Sequence, residues 1–215
     1  MERLRLKFSR GDEVKFISHL DIMRLWERAI RRADLPLMYS EGFTPHPRLS
    51  LAAPLSLGVT SDAEMMDAYF GRQISSQYML SQINRQIPAG ISIYDIWAVG
   101  IEMPSLQAQV RFAEYTVTID TIGDKTFTDT EQAIYNMLAA KTITWQHTRD
   151  KSVRTYDLRA LIDDLSLLEN SNERITIAMR LRCDSGGSGR PEQITKALGF
   201  PQRPRSIHRT ALIFN

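Results

Sequence analysis

The hydrophobic positions in the first half of the chain switch between the spacing of strands and the spacing of helices. Residues 4–8 (LRLKF) alternate with period two, which is typical of a strand with one buried face. Residues 18–33 then carry apolar side chains at helical spacing, after a capping signal formed by Ser18 and Asp21. The same reasoning predicts strands at 48–57, 64–70 and 91–99 and a helix at 75–87. The order βαββαβ is that of the ferredoxin-like motif.

The second half of the chain shows a comparable pattern. It predicts strands at 115–119, 143–145, 175–183 and 207–214 and helices at 128–140 and 191–198. The segment Val153–Leu168 is predicted as a helical insertion between the second and third of these strands. The predicted fold class is therefore α+β, with two tandem ferredoxin-like (βαββαβ) domains that contain antiparallel sheets. Their predicted ranges are 1–104 and 105–215, with the boundary at the segment Met103-Pro104-Ser105.

The composition is that of a globular protein and excludes several kinds of chemistry. Hydrophobic residues make up 43% of the chain and charged residues 24%. No apolar run approaches the roughly 20 residues that cross a bilayer, and the charged N-terminus is unlike a signal peptide, so we expect a cytoplasmic protein. The single cysteine, Cys183, cannot hold an iron–sulfur cluster alone, and no HExxH or Walker motif occurs. We predict no metal and no cofactor.

Positive charge is concentrated on the first predicted helix, although the formal net charge of the whole chain is only +2. The helix carries arginines at spacings of four, three and one residues: Arg24, Arg28, Arg31 and Arg32. The first three of them share one side of a helix, and guanidinium groups suit bidentate recognition of phosphate. A solvated face, paired with Asp21 and Glu27, is the alternative. The excess of arginine over nearby carboxylates favours a polyanion-binding face.

A loop with a constrained backbone, residues 39–48 (YSEGFTPHPR), follows this helix. Gly42 permits a turn that other residues resist, and two prolines bracket His46. The functional interpretation is stacking of a base on Tyr39 or Phe43, with His46 as a hydrogen-bond partner or general acid–base. In the structural interpretation, Phe43 fills the edge of the core and His46 bonds a backbone carbonyl. The residues alone leave both interpretations open.

The helix, the loop and their flanking cations together define the candidate RNA- or anion-binding set. Its members are Lys15, Arg24, Arg28, Arg31, Arg32, Tyr39, Phe43, His46 and Arg48. His19, near the start of the helix, is a second candidate histidine.

The block from Lys15 to Asp67 resembles a bacterial family of uncharacterised proteins linked to radical SAM enzymes. The matching segments are KFISHLD (15–21), Arg24, RAIRRADLP (28–36), YSEGFTPHPRLS (39–50), PLSLGV (54–59), Ser61, Glu64 and Asp67. Members of that family are either fused to a radical SAM protein or encoded beside one, and this chain resembles the stand-alone form. The resemblance therefore implies a radical SAM enzyme, acting in trans, as a partner.

These observations favour an accessory, substrate-binding protein over an autonomous enzyme. It would present RNA, such as tRNA or rRNA, to a partner radical SAM enzyme that modifies it. A rival hypothesis is a metal-independent RNA endonuclease with His46 or His19 as general base, because tandem ferredoxin-like domains resemble CRISPR-repeat-processing endonucleases. A third hypothesis is a protein–protein adaptor that binds no nucleic acid.

Overall fold

The chain forms two compact units, Met1–Val110 and Arg111–Asn215. They are seen in a computed structural model, which describes residues 1–120, 127–149, 152–171 and 173–215. Both units combine α-helices with antiparallel strands. The elements of the first unit are β1 (Glu2–Arg10), α1 (His19–Arg32), β2 (Leu49–Leu51), β3 (Thr60–Phe70), α2 (Ser76–Ile83), β4 (Ile93–Val99) and the short helix α3 (Leu106–Gln109).

The sheet of the first unit has the strand order β4-β1-β3-β2, and every neighbouring pair is antiparallel. Strand β1 is central: Leu6 lies opposite Met66 of β3 on one side and Ile96 of β4 on the other. The order of strands and helices along the chain agrees with the one that the hydrophobic pattern predicts for this half.

The core of the first unit lies between one face of this sheet and the two helices α1 and α2. Strand β1 contributes Leu4, Leu6 and Phe8, all fully buried. Phe8 meets Trp26 of α1 edge to face, with ring centroids 4.8 Å apart. The other buried residues of the two helices are Ile22, Ala29, Ile30, Met79 and Ile83. The indole N–H of Trp26 has no hydrogen-bond partner among the described residues, so packing alone holds this ring.

The opposite face of the sheet carries a buried triad of charged residues, formed by Arg3 and Arg5 of β1 and Asp67 of β3. The position of the two arginines follows from the two-residue alternation of a strand, because the neighbours of Leu4 point away from the helices. Arg3 Nη2 lies 2.6 Å from Asp67 Oδ2, and Arg5 Nε lies 2.8 Å from Asp67 Oδ1. Arg3 also donates to the carbonyls of Met103 and Pro104, at 2.7 and 2.9 Å. The triad therefore attaches the segment after β4 to the sheet.

The second unit is built around the long strand pair β5 and β9. Its elements are β5 (Val110–Asp120), α4 (Phe127–Ala139), β6 (Thr144–Arg149), β7 (Ser152–Asp157), β8 (Ile162–Asn170), β9 (Arg174–Asp184), β10 (Gly187–Ser188), α5 (Pro191–Ala197) and β11 (Ser206–Phe214). Strand β9 pairs with β5 on one side and with β8 and β10 on the other, and β11 lies beside β5. Strands β6 and β7 form a separate two-stranded sheet.

The prediction of a helical insertion at Val153–Leu168 is wrong. Strands β7 and β8 occupy most of this segment, with a short 3-10 turn between them. The pairing of β8 with β9 shifts register at Ile162/Asp164 and again at Leu167/Glu169. Each irregularity interrupts the two-residue alternation by which a strand is recognised in sequence, and pairing with β9 decides the conformation instead.

Within the described residues, no helix has both the length and the apolar character that crossing a membrane requires.

The triad yields a test of stability with Asp67→Asn. This substitution leaves two guanidinium groups buried without their anion, and we expect it to lower the free energy of unfolding by about 3–5 kcal/mol. The control is Asp12→Asn, which removes an exposed ion pair to Lys15 and should cost less than about 1 kcal/mol. Urea denaturation measures both variants, and equal losses would contradict a structural role for the buried triad.

Candidate nucleic-acid interface

Helix α1 is held in place by hydrogen bonds at both ends. The Ser18 hydroxyl accepts the backbone N–H of Asp21 at 3.2 Å, and it donates to the Asp21 carboxylate at 2.7 Å. At the other end Asp34 adopts a positive φ of 54°, which lets the N–H of Leu35 reach the carbonyl of Ile30 at 3.2 Å. This arrangement is a Schellman cap. Both caps define the residues at which the helix begins and ends.

The arginine face of α1 borders an open groove of about 650 Å³. The polar residues that line it are Asp21, Arg24, Arg28, Arg32 and Gln86. Its apolar lining consists of Phe16, Ile17, Leu25, Ile87 and Pro88. Three of the four arginines that the sequence singled out thus share one groove, which also has an apolar part.

The three arginines of the groove differ in what they contact. Arg24 Nη1 forms an ion pair with Asp21 Oδ1 at 3.1 Å. Arg32 donates twice to Gln86, to the side-chain oxygen at 3.1 Å and to the backbone carbonyl at 2.7 Å. Arg28 lies between them on the helix, is exposed, and makes no hydrogen bond or ion pair within the described part of the chain. Its guanidinium group is therefore available to an anion.

Arg31 lies beside Tyr39 and is not part of the groove lining. The Tyr39 hydroxyl donates to Glu27 Oε1 at 3.1 Å, which attaches the base of the following loop to α1. Burial and the Glu27 carboxylate raise the pKa of Tyr39, and the nearby Arg31 opposes them. Tyr39 thus has a structural contact with the helix.

The loop after α1 is closed by its own backbone. Tyr39 and Pro47 form a β-bridge, and the N–H of Ser40 donates to the carbonyl of His46 at 2.8 Å. The N–H of His46 donates in turn to the Ser40 hydroxyl at 3.0 Å. Gly42, near the tip, has a φ of 116°, a conformation that side chains with a Cβ strongly disfavour.

The ring of Phe43 stands at the tip of this loop and is fully exposed, with a relative accessibility of 109%. The interpretation in which Phe43 fills the edge of the core is therefore wrong.

Both candidate histidines, His46 and His19, are exposed, and neither imidazole makes a hydrogen bond within the residues that the structure describes.

The two remaining cations of the candidate set contact neighbours in the fold. Lys15 Nζ lies 2.8 Å from Asp12 Oδ1 and 5.4 Å from the centroid of the Phe16 ring. The guanidinium group of Arg48 lies over the ring of Tyr69, 4.4 Å from its centroid. Arg48 is not among the residues that line the groove.

Sequence reasoning missed Phe16 and Gln86, which the fold brings to the groove from outside α1. The sequence does contain one indication that Phe16 is exposed, because the hydrophobic contact at the start of α1 is made by other residues. Ile17 precedes the cap residue and Ile22 lies four residues into the helix, the two positions of a hydrophobic staple. Phe16 has no place in that contact, and 69% of its surface is exposed. Gln86 follows α2, and no local pattern connects it with Arg32.

No group of three or more His, Cys, Asp or Glu side chains that could hold a metal ion occurs among the described residues. The groove itself is lined chiefly by guanidinium groups and apolar side chains.

The fold and the groove define a mixed α/β protein with an arginine-lined surface. The chain belongs to the family described as "Uncharacterized protein conserved in bacteria (DUF2344)", whose model matches residues 3–191. This membership agrees with the resemblance of the Lys15–Asp67 block to an uncharacterised bacterial family. No curated protein matches the sequence.

The chain is similar at low sequence identity to chains of two solved structures, of which the first shows the fold. A chain in the crystal structure of a Cbf5-Nop10-Gar1 complex is 12% identical, with a TM-score of 0.53, over 97% of this chain and 48% of that one. A chain in an H/ACA RNP bound to a substrate RNA containing 2′-deoxyuridine is 11% identical, with a TM-score of 0.49, over 96% and 46%. The protein thus spans about half the length of these chains.

The cap of α1 predicts a pH dependence of stability that Ser18→Ala should weaken. Hydrogen bonds from Ser18 and then from Arg24 hold the pKa of Asp21 below its ordinary value. Their stabilisation is present above the ordinary pKa of an aspartate and is lost as the pH falls through the lowered pKa of the folded state. In Ser18→Ala, we expect the pKa of Asp21 to rise toward its ordinary value in an NMR titration of the carboxyl carbon.

The matched control is Ser75→Ala. Ser75 caps α2 by accepting the N–H of Tyr78 at 3.2 Å, and the first turn of α2 contains no acidic residue. Both variants should lose about 1 kcal/mol from the missing cap. Only the loss of stability caused by Ser18→Ala should become smaller at acidic pH. An unchanged pKa of Asp21 in that variant would show that the Ser18 hydrogen bond does not lower it.

Proposed function

We propose that the protein is an accessory RNA-binding protein and that the groove along α1 binds RNA phosphates. The observation that carries this proposal is the guanidinium group of Arg28. It is exposed, has no hydrogen-bond or ion-pair partner among the described residues, and lies between two arginines whose positions other side chains fix. An exposed guanidinium group without such partners can donate two parallel hydrogen bonds to one phosphate.

The charge of the groove supports an anionic ligand. Three guanidinium groups and one carboxylate line it, which leaves two uncompensated positive charges. The carboxylate of Asp21 is paired with Arg24 at 3.1 Å. The excess charge is therefore centred on Arg28 and Arg32. Arginine side chains spaced along one helix face suit a ligand with several phosphates better than a single small anion.

The architecture is compatible with this role. We propose that both units are ferredoxin-like. The support is that the strand order β4-β1-β3-β2 of the first unit corresponds to the order β11-β5-β9-β8 of the second. In that scheme the β6–β7 hairpin is the insertion of the second unit. The likeness to a chain of the Cbf5-Nop10-Gar1 complex is one of fold, and RNA as the ligand rests on the groove.

The proposed partner is a radical SAM enzyme that acts in trans on the bound RNA, such as a tRNA or rRNA. Its support is the resemblance of the Lys15–Asp67 block to proteins linked to such enzymes. Cleavage of RNA by His46 or His19 has no comparable support, because no described side chain hydrogen-bonds either imidazole to prepare it as a base.

The phosphate contact is tested with Arg28→Gln, measured by fluorescence anisotropy with labelled RNA at several salt concentrations. A hydrogen bond to a charged group contributes roughly 1.5–3 kcal/mol, so we expect affinity to fall at least tenfold. The slope of log affinity against log salt should fall by about 0.7 for a single strand. The control is Arg72→Gln, an exposed arginine of the same unit that does not line the groove, and its affinity should match that of the unaltered protein.

Three results would contradict the proposal. One is binding of RNA that does not depend on salt, and another is equal affinity in Arg28→Gln and the unaltered protein. The third is co-purification with a protein partner without RNA, combined with no measurable affinity for RNA, which would support the adaptor hypothesis instead.

A further inference from the structure

The apolar half of the groove contains the ring of Phe16, which is not buried in the core. Ile17, Leu25 and Ile87 pack against the core of the first unit, so they form a floor continuous with it. Phe16 lines the same groove but keeps 69% of its surface exposed. An apolar ring placed beside a row of guanidinium groups matches a ligand that has both flat apolar surfaces and negative charges.

A single-stranded polynucleotide has both features in an accessible form. In duplex RNA the bases are stacked inside the helix, and a protein meets mainly phosphates and 2′-hydroxyls. In a single strand the bases are free to stack on aromatic side chains while the backbone follows a positively charged groove. The combination of Phe16 with Arg24, Arg28 and Arg32 thus fits an unpaired segment better than a duplex.

We infer that the groove selects single-stranded RNA, with an unpaired base stacked on Phe16 and the adjoining phosphates bound by Arg28 and its neighbours. This inference rests on the proposed function and specifies its substrate class. The ammonium group of Lys15, which is paired with Asp12, lies over one face of the Phe16 ring, 5.4 Å from its centroid. Most of the ring surface stays exposed beside this contact.

The stacking residue is then Phe16 in the groove and not an aromatic residue of the loop. Tyr39 is partly buried, and its hydroxyl is bound to Glu27. Phe43 is exposed, but it stands on a loop whose nearest charged residue along the chain is Glu41, which repels phosphate. Phe16 is the exposed aromatic ring that lines the groove together with the arginines.

The test compares Phe16→Ala, Phe16→Trp and the matched control Phe43→Ala in the full chain. The probes are a labelled uridine oligonucleotide of about 12 nucleotides, within the site size of single-strand-binding domains, and an RNA duplex of the same length. We expect Phe16→Ala to weaken binding of the single strand about tenfold, which corresponds to about 1.4 kcal/mol, a typical contribution of base–aromatic stacking. Phe16→Trp and Phe43→Ala should bind it as the unaltered protein does.

Two further readouts separate stacking from phosphate binding and from folding. The salt slope should be the same in Phe16→Ala and the unaltered protein, because the ring carries no charge, and binding of the duplex should be unaffected. Thermal unfolding should also be unchanged, since Phe16 is mostly exposed.

The outcomes distinguish this inference from the proposal on which it rests. If Arg28→Gln weakens binding while Phe16→Ala does not, the stacking site is wrong and the phosphate site stands. A preference for the duplex, or a tenfold loss in Phe43→Ala instead, also overturns the inference. If neither probe binds, the proposed function fails and the inference fails with it.

Discussion

The contact between helix α1 and strand β1 is the one on which the groove depends. Trp26 is fully buried against Phe8, with the rings 4.8 Å apart, and the buried residues beside it fix the rotation of the helix about its axis. Because α1 buries this face, its arginines are left on the exposed side. The same rotation brings Arg32 to Gln86 in the segment after α2. Hydrophobic burial, rather than the arginines themselves, therefore positions the candidate site.

The first half of strand β1 is buried on both faces, but by different interactions. Leu4, Leu6 and Phe8 pack under the helices, whereas Arg3 and Arg5 share the carboxylate of Asp67 on the other side. Two guanidinium groups against one carboxylate leave a surplus positive charge, which the backbone carbonyls that accept from Arg3 partly offset. An apolar cluster would stabilise such a face at lower electrostatic cost. The charged one adds directional hydrogen bonds, which hold the segment after β4 in a defined place.

The groove combines guanidinium groups that contact other side chains with one that does not. Asp21 and Gln86 contact the outer two arginines, which restricts the conformations of their side chains. Arg28 has no such restraint and can adapt to the position of a phosphate. The nearby loop is also preorganised, by backbone bonds between Ser40 and His46. Much of the described surface is therefore ordered by contacts within the chain itself.

The sequence by itself determined the positions of most helices and strands and the location of the arginine face, because helix caps and apolar periodicity are local properties of the chain. The prediction from sequence failed at Val153–Leu168. There β7 pairs with β6, and two register shifts in the pairing of β8 with β9 disrupt the local pattern. Tertiary structure alone decided that Arg3 and Arg5 are buried on Asp67 and that Phe16 and Gln86 join the groove. These contacts link residues far apart in the chain or depend on which face is covered. The hydrophobic pattern of one segment does not show which other segments pack against it.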